Sequence, residues 1–141
     1  MPAEEYTLPI GKAAVVNEGE DLTVIAWGAM VSECLSAIDE LPEELSIELI
    51  DLRTIYPIDV ETIVNSVTKT GRAVVVHEAP RTAGFGAEIS ALIQENCFLS
   101  LEAPVQRVTG FDTAMPYYKL EKKYLPDARR IAQAIRECLD Y

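Results

Sequence analysis

Apolar positions along this chain switch between the two-residue period of strands and the 3.6-residue period of helices. Ala13 to Val16 is a short apolar run after Gly11, and Leu22 to Trp27 is a β-rich run. Between them Asn17-Glu18-Gly19-Glu20-Asp21 has turn-forming composition, so the pair predicts a hairpin. Gly28 breaks the second run. Val31, Cys34, Leu35, Ile38 and Leu41 then recur at helical spacing, and Pro42 stops the helix. Ser46 to Asp51 returns to strand, which makes strand, helix and strand a βαβ unit.

The second half repeats this rhythm. Asp59 is a good helix N-cap ahead of Val60, Ile63, Val64 and Val67, and Gly71 ends that helix. Ala73 to His77 is apolar without alternation, as expected of a strand covered on both faces. A polar loop is expected over Pro80, and a helix beginning near Gly84 to Ala87 carries Ile89, Leu92 and Ile93 on one face. Val105 to Thr109 predicts the last strand. Pro126 and Asp127 open a terminal helix whose inner face is Ile131, Ala134, Ile135, Cys138 and Leu139. The order predicts an α/β three-layer sandwich, with helices on both faces of a mostly parallel five-stranded sheet.

Composition narrows what such a domain meets. The 141 residues fit one domain with a real core. Acids outnumber bases 23 to 12, giving a net charge of −11. This argues against nucleic acid and anionic membrane surfaces, which need concentrated basic charge, and favours a basic protein partner. Cys34, Cys97 and Cys138 are odd in number and widely spaced, which fits buried apolar thiols in a reducing compartment better than disulfides or zinc. No apolar run reaches the ~20 residues of a membrane span. Met1-Pro2-Ala3-Glu4-Glu5 lacks the parts of a signal peptide, so residues 1–7 read as a short leader or truncated linker before a domain at 8–141.

Candidate chemistry gathers where the strand ending at His77 meets its loop, because loops at the carboxyl ends of parallel strands meet ligands and partners. The sequence has no GxGxxG, Walker or G-x-S-x-G pattern, and Arg81 stands where H-E-x-x-H needs a second histidine. His77 is either a group titrating near neutrality or a structural histidine hydrogen-bonded in its loop. Arg81 could grip a carboxylate or phosphate, or form an intersubunit salt bridge. Glu78 and Glu88 could pair as acids, although Glu88 fits the first turn of its helix better. Asp51 and Arg53 at a strand end would make a fixed ion pair as readily as a site. Phe111-Asp112 opens an aromatic loop through Tyr118 that reads either as a protein interface or as a loop packed on its own domain. No catalytic constellation and no metal site emerges from the residues themselves.

Several ordered motifs resemble one family. Asp51-Leu52-Arg53-Thr54-Ile55-Tyr56-Pro57, Lys69-Thr70-Gly71-Arg72, His77-Glu78-Ala79-Pro80, Leu101-Glu102-Ala103-Pro104-Val105, Arg107-Val108-Thr109-Gly110-Phe111-Asp112-Thr113 and Tyr124-Leu125-Pro126 occur in that family's order. Together they resemble the C-terminal, transketolase C-terminal-like, domain of the beta subunit of 2-oxo acid dehydrogenases. The branched-chain type is most similar, through His77 to Pro80, Glu95 to Pro104 and a terminal tyrosine. Ala114-Met115-Pro116 departs from the pattern, because the family has proline directly after the Asp-Thr pair.

The resemblance implies a five-stranded mixed sheet with one antiparallel strand. It also implies an enzyme that decarboxylates a 2-oxo acid on thiamine diphosphate with Mg and acylates a lipoyl group. The cofactor and catalytic residues would lie outside this chain, which would be inactive alone. Implied partners are a second copy of this domain, an alpha subunit or fused alpha region, and a basic peripheral domain of the acyltransferase core. The acceptors for that last contact fall on Glu102 and the terminal carboxylate of Tyr141. The implied location is the bacterial cytoplasm or another reducing compartment. Two alternatives remain: the same domain in a pyruvate, acetoin or transketolase relative, and a free-standing flavodoxin-like module that takes a small anion at the His77–Gly86 loop.

Overall fold

The computed structural model describes residues 6–141, so most of the leader or linker expected at residues 1–7 lies outside the described residues. Five strands, β1 (Ala14–Asn17), β2 (Leu22–Ala26), β3 (Ile47–Asp51), β4 (Ala73–Pro80) and β5 (Gln106–Gly110), form one sheet in the order β1-β3-β2-β4-β5. The β2–β3, β2–β4 and β4–β5 pairs are parallel, and β1 runs antiparallel to β3. Helices α1 (Met30–Asp39) and α5 (Ala128–Leu139) cover one face; α2 (Val60–Thr70) and α3 (Gly86–Cys97) cover the other. The short α4 (Glu121–Tyr124) precedes α5. This is the layered architecture expected.

The hairpin between the first two strands does not form. Every residue of β2 is buried, so β2 takes the centre and both its edges pair with parallel neighbours. β1 keeps Val15 and Val16 exposed and closes the sheet at β3's free edge. The strand containing His77 also runs further than expected, through Pro80, with an irregularity between His77 and Pro80. A proline is tolerated at such a bulged end because the ladder is already interrupted there.

Side chains alternate across the sheet as the strand period requires. Leu22, Val24, Ala26, Ile47, Leu49, Val74 and Val76 face the α1/α5 core, where they meet Cys34, Ile131 and Ile135. Ile25, Ile50, Ala73 and Val75 face the α2/α3 core with Ile63, Val67, Ile89 and Ile93. Thr23 on β2 also faces α2, where its hydroxyl meets Ser66 Oγ at 2.7 Å and Thr70 Oγ1 at 2.8 Å, so these buried polar groups satisfy one another. All three cysteines are free and buried. Burial, aided by Glu33, pushes the Cys34 thiol up to about 12.

Asp59 caps α2 as expected and also ties it to the chain ahead of β1. Its carboxylate accepts from the Thr62 N–H at 3.3 Å, the Thr62 hydroxyl at 2.9 Å and the Ala13 N–H at 3.0 Å. Burial alone would raise its pKa, but these hydrogen bonds and the Lys12 charge hold it below the usual carboxylate value. At its other end α2 stops at Gly71 in the left-handed conformation, φ 69°. Asp59→Ala is expected to cost about 2 kcal/mol in urea unfolding, since a cap is lost and Ala13 N–H loses its acceptor. Asp59→Asn, which keeps an acceptor, should cost less. Equal losses would mean that the hydrogen bonds contribute nothing.

Candidate functional site

The strand order creates one topological switch point. From β2 the chain crosses to β3 on one side, then from β3 to β4 on the other. In open α/β sheets, ligands bind outside the carboxyl ends of strands that diverge in this way. Trp27 and Gly28 follow β2 at that point, and His77 lies beside them in β4. The His77 ring stacks on Trp27, with centroids 5.4 Å apart and planes 12° apart, and Phe85 meets Trp27 edge-on at 6.0 Å. A cavity of about 320 Å³ opens here. Trp27, Ala29, Ile55, Ala79 and Phe85 give it an apolar wall, and His77 and Glu78 contribute its polar side chains.

His77 is not the hydrogen-bonded loop histidine expected. It sits inside β4, 1% exposed, and neither ring nitrogen has a hydrogen-bond partner. The α3 N-terminus leaves room for the ring by using glycine. A Cβ on Gly86 would fall 2.4 Å from His77 Nε2, and one on Gly84 would fall 2.7 Å from Cε1. Burial, reinforced by the Arg107 charge, pushes the imidazole's pKa below its ordinary value, against the opposing pull of a long contact with the Ala79 backbone that falls short of hydrogen-bond geometry. The ring is therefore neutral at pH 7.

The other residues singled out around this junction divide between local tethers and solvent. Arg81 Nη1 donates to the Arg107 carbonyl at 3.0 Å, and Arg107 Nη1 returns a bond to the Arg81 carbonyl at 3.2 Å. One Arg81 Nη thus clamps its own domain's main chain. Asp112 accepts from the Thr82 N–H at 2.8 Å and hydroxyl at 2.7 Å, and these bonds hold its pKa below the usual carboxylate range. Phe111 packs at 6.3 Å on Tyr124 with the Arg130 guanidinium 4.7 Å over its ring, so the start of the aromatic loop is fixed on its own domain. Further along, Tyr117 and Tyr118 are exposed. Glu78 is exposed, while Glu88 lies in the first turn of α3. Asp51 accepts from the Arg53 N–H at 2.9 Å, so the expected Asp51–Arg53 ion pair is a main-chain turn bond.

On another part of the surface, Glu102 and Tyr141 line one depression of about 450 Å³ with Phe98, Leu101, Ala103 and Pro104. A 3-10 turn at Phe98–Ser100 follows α3 and delivers Glu102 over the end of α2. There the Glu102 N–H donates to the Gly71 carbonyl at 2.8 Å, and its carboxylate lies 2.6 Å from Arg72 Nη1. The Glu102 side chain is still 60% exposed. Phe98 and Leu99 are exposed beside it, as is Tyr141. Trp27, Phe85 and Arg72 were missed from sequence. Trp27 closes a buried run just before a breaking glycine, which is the signal that could have placed it at the switch point.

The sequence pattern described as "Transketolase, C-terminal domain" matches residues 11–131. A relative named 2-oxoisovalerate dehydrogenase subunit beta, mitochondrial, from Dictyostelium discoideum is 53% identical across all of this chain and 38% of its own length. A pyruvate dehydrogenase E1 component subunit beta from Staphylococcus aureus is 51% identical across all of this chain and 44% of its own. The chain thus spans less than half the length of these relatives. Among solved structures, a split gene transketolase, described as an inactive beta4 tetramer, matches with a TM-score of 0.78 at 27% identity, over 96% of this chain and 44% of that one. A 2-oxoglutarate:ferredoxin oxidoreductase from Magnetococcus marinus shares the fold, with a TM-score of 0.60 at 14% identity over 91% of this chain and 19% of that one. The five-stranded sheet with its one antiparallel edge, the helices on both faces and the matched pattern together place this chain in the transketolase C-terminal domain family.

Proposed function

We propose that this chain is the assembly and partner-docking domain of a 2-oxo acid dehydrogenase of the branched-chain type, with its domain spanning residues 8–141. The full-length enzyme decarboxylates a 2-oxo acid on thiamine diphosphate and passes the acyl group to a lipoyl arm; this domain holds neighbouring catalytic parts in position. It pairs with a second copy of itself, associates with an alpha subunit or fused alpha region, and docks a basic peripheral domain of the acyltransferase core. The reading is supported by the two relatives described above, both named as beta subunits. The branched-chain choice over pyruvate rests on the Glu95 to Pro104 segment and the terminal tyrosine. Buried free thiols fit the cytoplasm or another reducing compartment.

The switch-point cavity does not fit thiamine diphosphate or its metal. Among the described residues no group of three or more His, Cys, Asp or Glu side chains could hold a metal ion. The switch-point cavity has apolar walls rather than a diphosphate cradle. No helix among the described residues is long and apolar enough to cross a membrane.

The single observation that carries the docking role is the shared depression of Glu102 and Tyr141, flanked by exposed Phe98, on a chain of net charge −11. An exposed acid ringed by apolar surface suits a basic side chain at the edge of a protein interface. Arg72 already holds the Glu102 carboxylate, so a partner's cation must share it. Glu102→Lys is expected to weaken binding of a purified basic acyltransferase peripheral domain roughly ten- to hundredfold by titration calorimetry. Native binding should itself weaken as salt rises. The unfolding curve should move little, because so exposed an ion pair contributes under about 1 kcal/mol. Unchanged affinity would remove this partner from the account.

A further inference from the structure

We propose that the groove between β5 and the start of α5 docks an acidic segment of another protein chain, whose carboxylates pair with Arg81, Arg107, Arg129 and Arg130. This surface takes the opposite charge from the Glu102 and Tyr141 depression, so it goes beyond the docking role above. Two adjoining hollows of about 530 and 270 Å³ form the groove, and Arg107 and Arg130 line both. Arg129 belongs to the larger hollow and Arg81 to the smaller. Arg81 and Arg129 are exposed, and Arg107 and Arg130 are half-buried.

The charge here runs against that of the chain. Residues 107–136 hold seven bases against three acids, a net +4, while all other positions hold five against 20, a net −15. Among the described residues the ion pairs use Lys12, Lys69 and Arg72, and none of the four groove arginines. Three of those arginines are nevertheless held in place. Arg81 and Arg107 each donate one Nη to the other's carbonyl, and Arg130 Nη2 donates to the Thr109 carbonyl at 2.7 Å. A carbonyl positions a guanidinium without neutralising it, so the charge and further N–H groups stay available at a low ordering cost. Asp112, Asp127 and Glu137 share the lining, and each already accepts a hydrogen bond, from Thr82, the Arg130 N–H and Gln133 Nε2 respectively. These acids interrupt the positive surface, and that selects the partner. A nucleic acid spaces its phosphates evenly and densely, so it would meet them as well as the arginines. A peptide can set each carboxylate against one arginine, in the two-pronged geometry a guanidinium favours. Phe111, 49% exposed with Arg130 over its ring, adds the aromatic surface that protein interfaces are rich in.

Hexaglutamate serves as the acidic probe and hexaglutamine as its uncharged counterpart, each titrated into the 141-residue chain at low salt. Hexaglutamate should shift the guanidinium N–H resonances of the four arginines saturably, with an affinity on the order of millimolar that weakens as salt rises. Hexaglutamine should leave those resonances in place. Arg129→Gln, at an exposed position, should weaken hexaglutamate binding about threefold to fivefold, the scale of one exposed ion pair. Lys12→Gln makes the same change of charge beside β1, at the opposite edge of the sheet, and should leave the affinity unchanged. Equal losses for the two variants would mean that overall charge and not this groove attracts the peptide. Such equality, the absence of a saturable shift, or tighter binding of inorganic phosphate or an oligothymidylate would each overturn the proposal. So would self-association that Arg129→Gln abolishes, because the occupant would then be a second copy of this chain.

Discussion

Gly19→Ala should lower the unfolding free energy by about 3 kcal/mol or more, the upper end of overpacking effects. In a chain this size that corresponds to a drop of roughly 10 °C in Tm. The residue is buried in the link between β1 and β2, pressed against the start of β3. A Cβ there would lie 2.2 Å from the Ile47 carbonyl carbon, 2.3 Å from Glu48 N and 2.7 Å from Ile47 N. Those are main-chain atoms of a sheet strand, which cannot swing aside as a flexible side chain does. The link is also pinned by hydrogen bonds. Glu20 N–H and Asp21 N–H donate to the Ser46 carbonyl at 3.0 and 2.8 Å, and Ser46 N–H donates to the Asp21 carboxylate at 2.7 Å. Asn17 Nδ2 donates to the Ile47 carbonyl at 2.7 Å. Relief of the clash must break some of these. Gly28→Ala is the control, with open space around its Cβ and only a positive φ of 61° to oppose it. That backbone penalty is about 1 kcal/mol. Equal losses for the two variants in thermal unfolding would show that the close approach at Gly19 is not what holds the link in place.

That glycine marks where sequence reading reached its limit. Asn17 to Asp21 reads as a turn from composition, and a turn it is. Its role as a close-packed junction with β3 depends on a strand nearly thirty positions later. The same non-local pairing defeated the hairpin. Two neighbouring apolar runs with a short link satisfy the local signal, but β2 is apolar on both faces and its two edges suit parallel partners that arrive later in the chain. By contrast, the Asp59 cap, the Gly71 stop and the helical stripes of α1, α2, α3 and α5 were legible because their causes lie within a turn or two of each residue.

The candidate sites divide along the same line. A strand ending near His77 is visible in the apolar run Ala73 to Val76, yet which face the imidazole takes depends on β4 continuing through Pro80. Gly84 and Gly86 complete no phosphate-binding glycine pattern in sequence. Their physical cause is the ring they accommodate, and no local pattern reports that. Likewise Glu102 and Tyr141 come together only because the turn after α3 and the end of α5 reach the same depression. The family resemblance indicated them as a pair, whereas periodicity alone would leave each a solvated terminus or loop residue.

Lys69→Met should destabilise the domain by about 2–3 kcal/mol near neutral pH, because it strands a buried carboxylate. Glu48 lies in β3 with its side chain 5% exposed, and Lys69 Nζ on α2 is its hydrogen-bonded cation. Lys69 itself is 36% exposed, and that solvent screening sets the figure below the full cost of breaking a buried pair. Burial alone would raise the Glu48 pKa, but the Lys69 hydrogen bond and charge, aided by Ser66 and the Gly19 backbone, hold it below the ordinary value. The Glu48 bond in turn raises that of Lys69. A depressed carboxylate contributes stability above its unfolded pKa, about 4.3, and loses it as pH falls through the lower folded value. A raised ammonium contributes below its unfolded pKa, about 10.4, and loses it as pH rises through the higher folded value. The gap between native and Lys69→Met chains should therefore be widest between these limits and narrow beyond both, as read by urea unfolding across pH. Glu48→Gln should cost less than Lys69→Met, since the cation it abandons reaches water while the carboxylate abandoned by Lys69→Met does not. The reverse order, or a gap that does not narrow under acid, would mean that the pair is a solvated surface contact and not the bond that anchors α2 to β3.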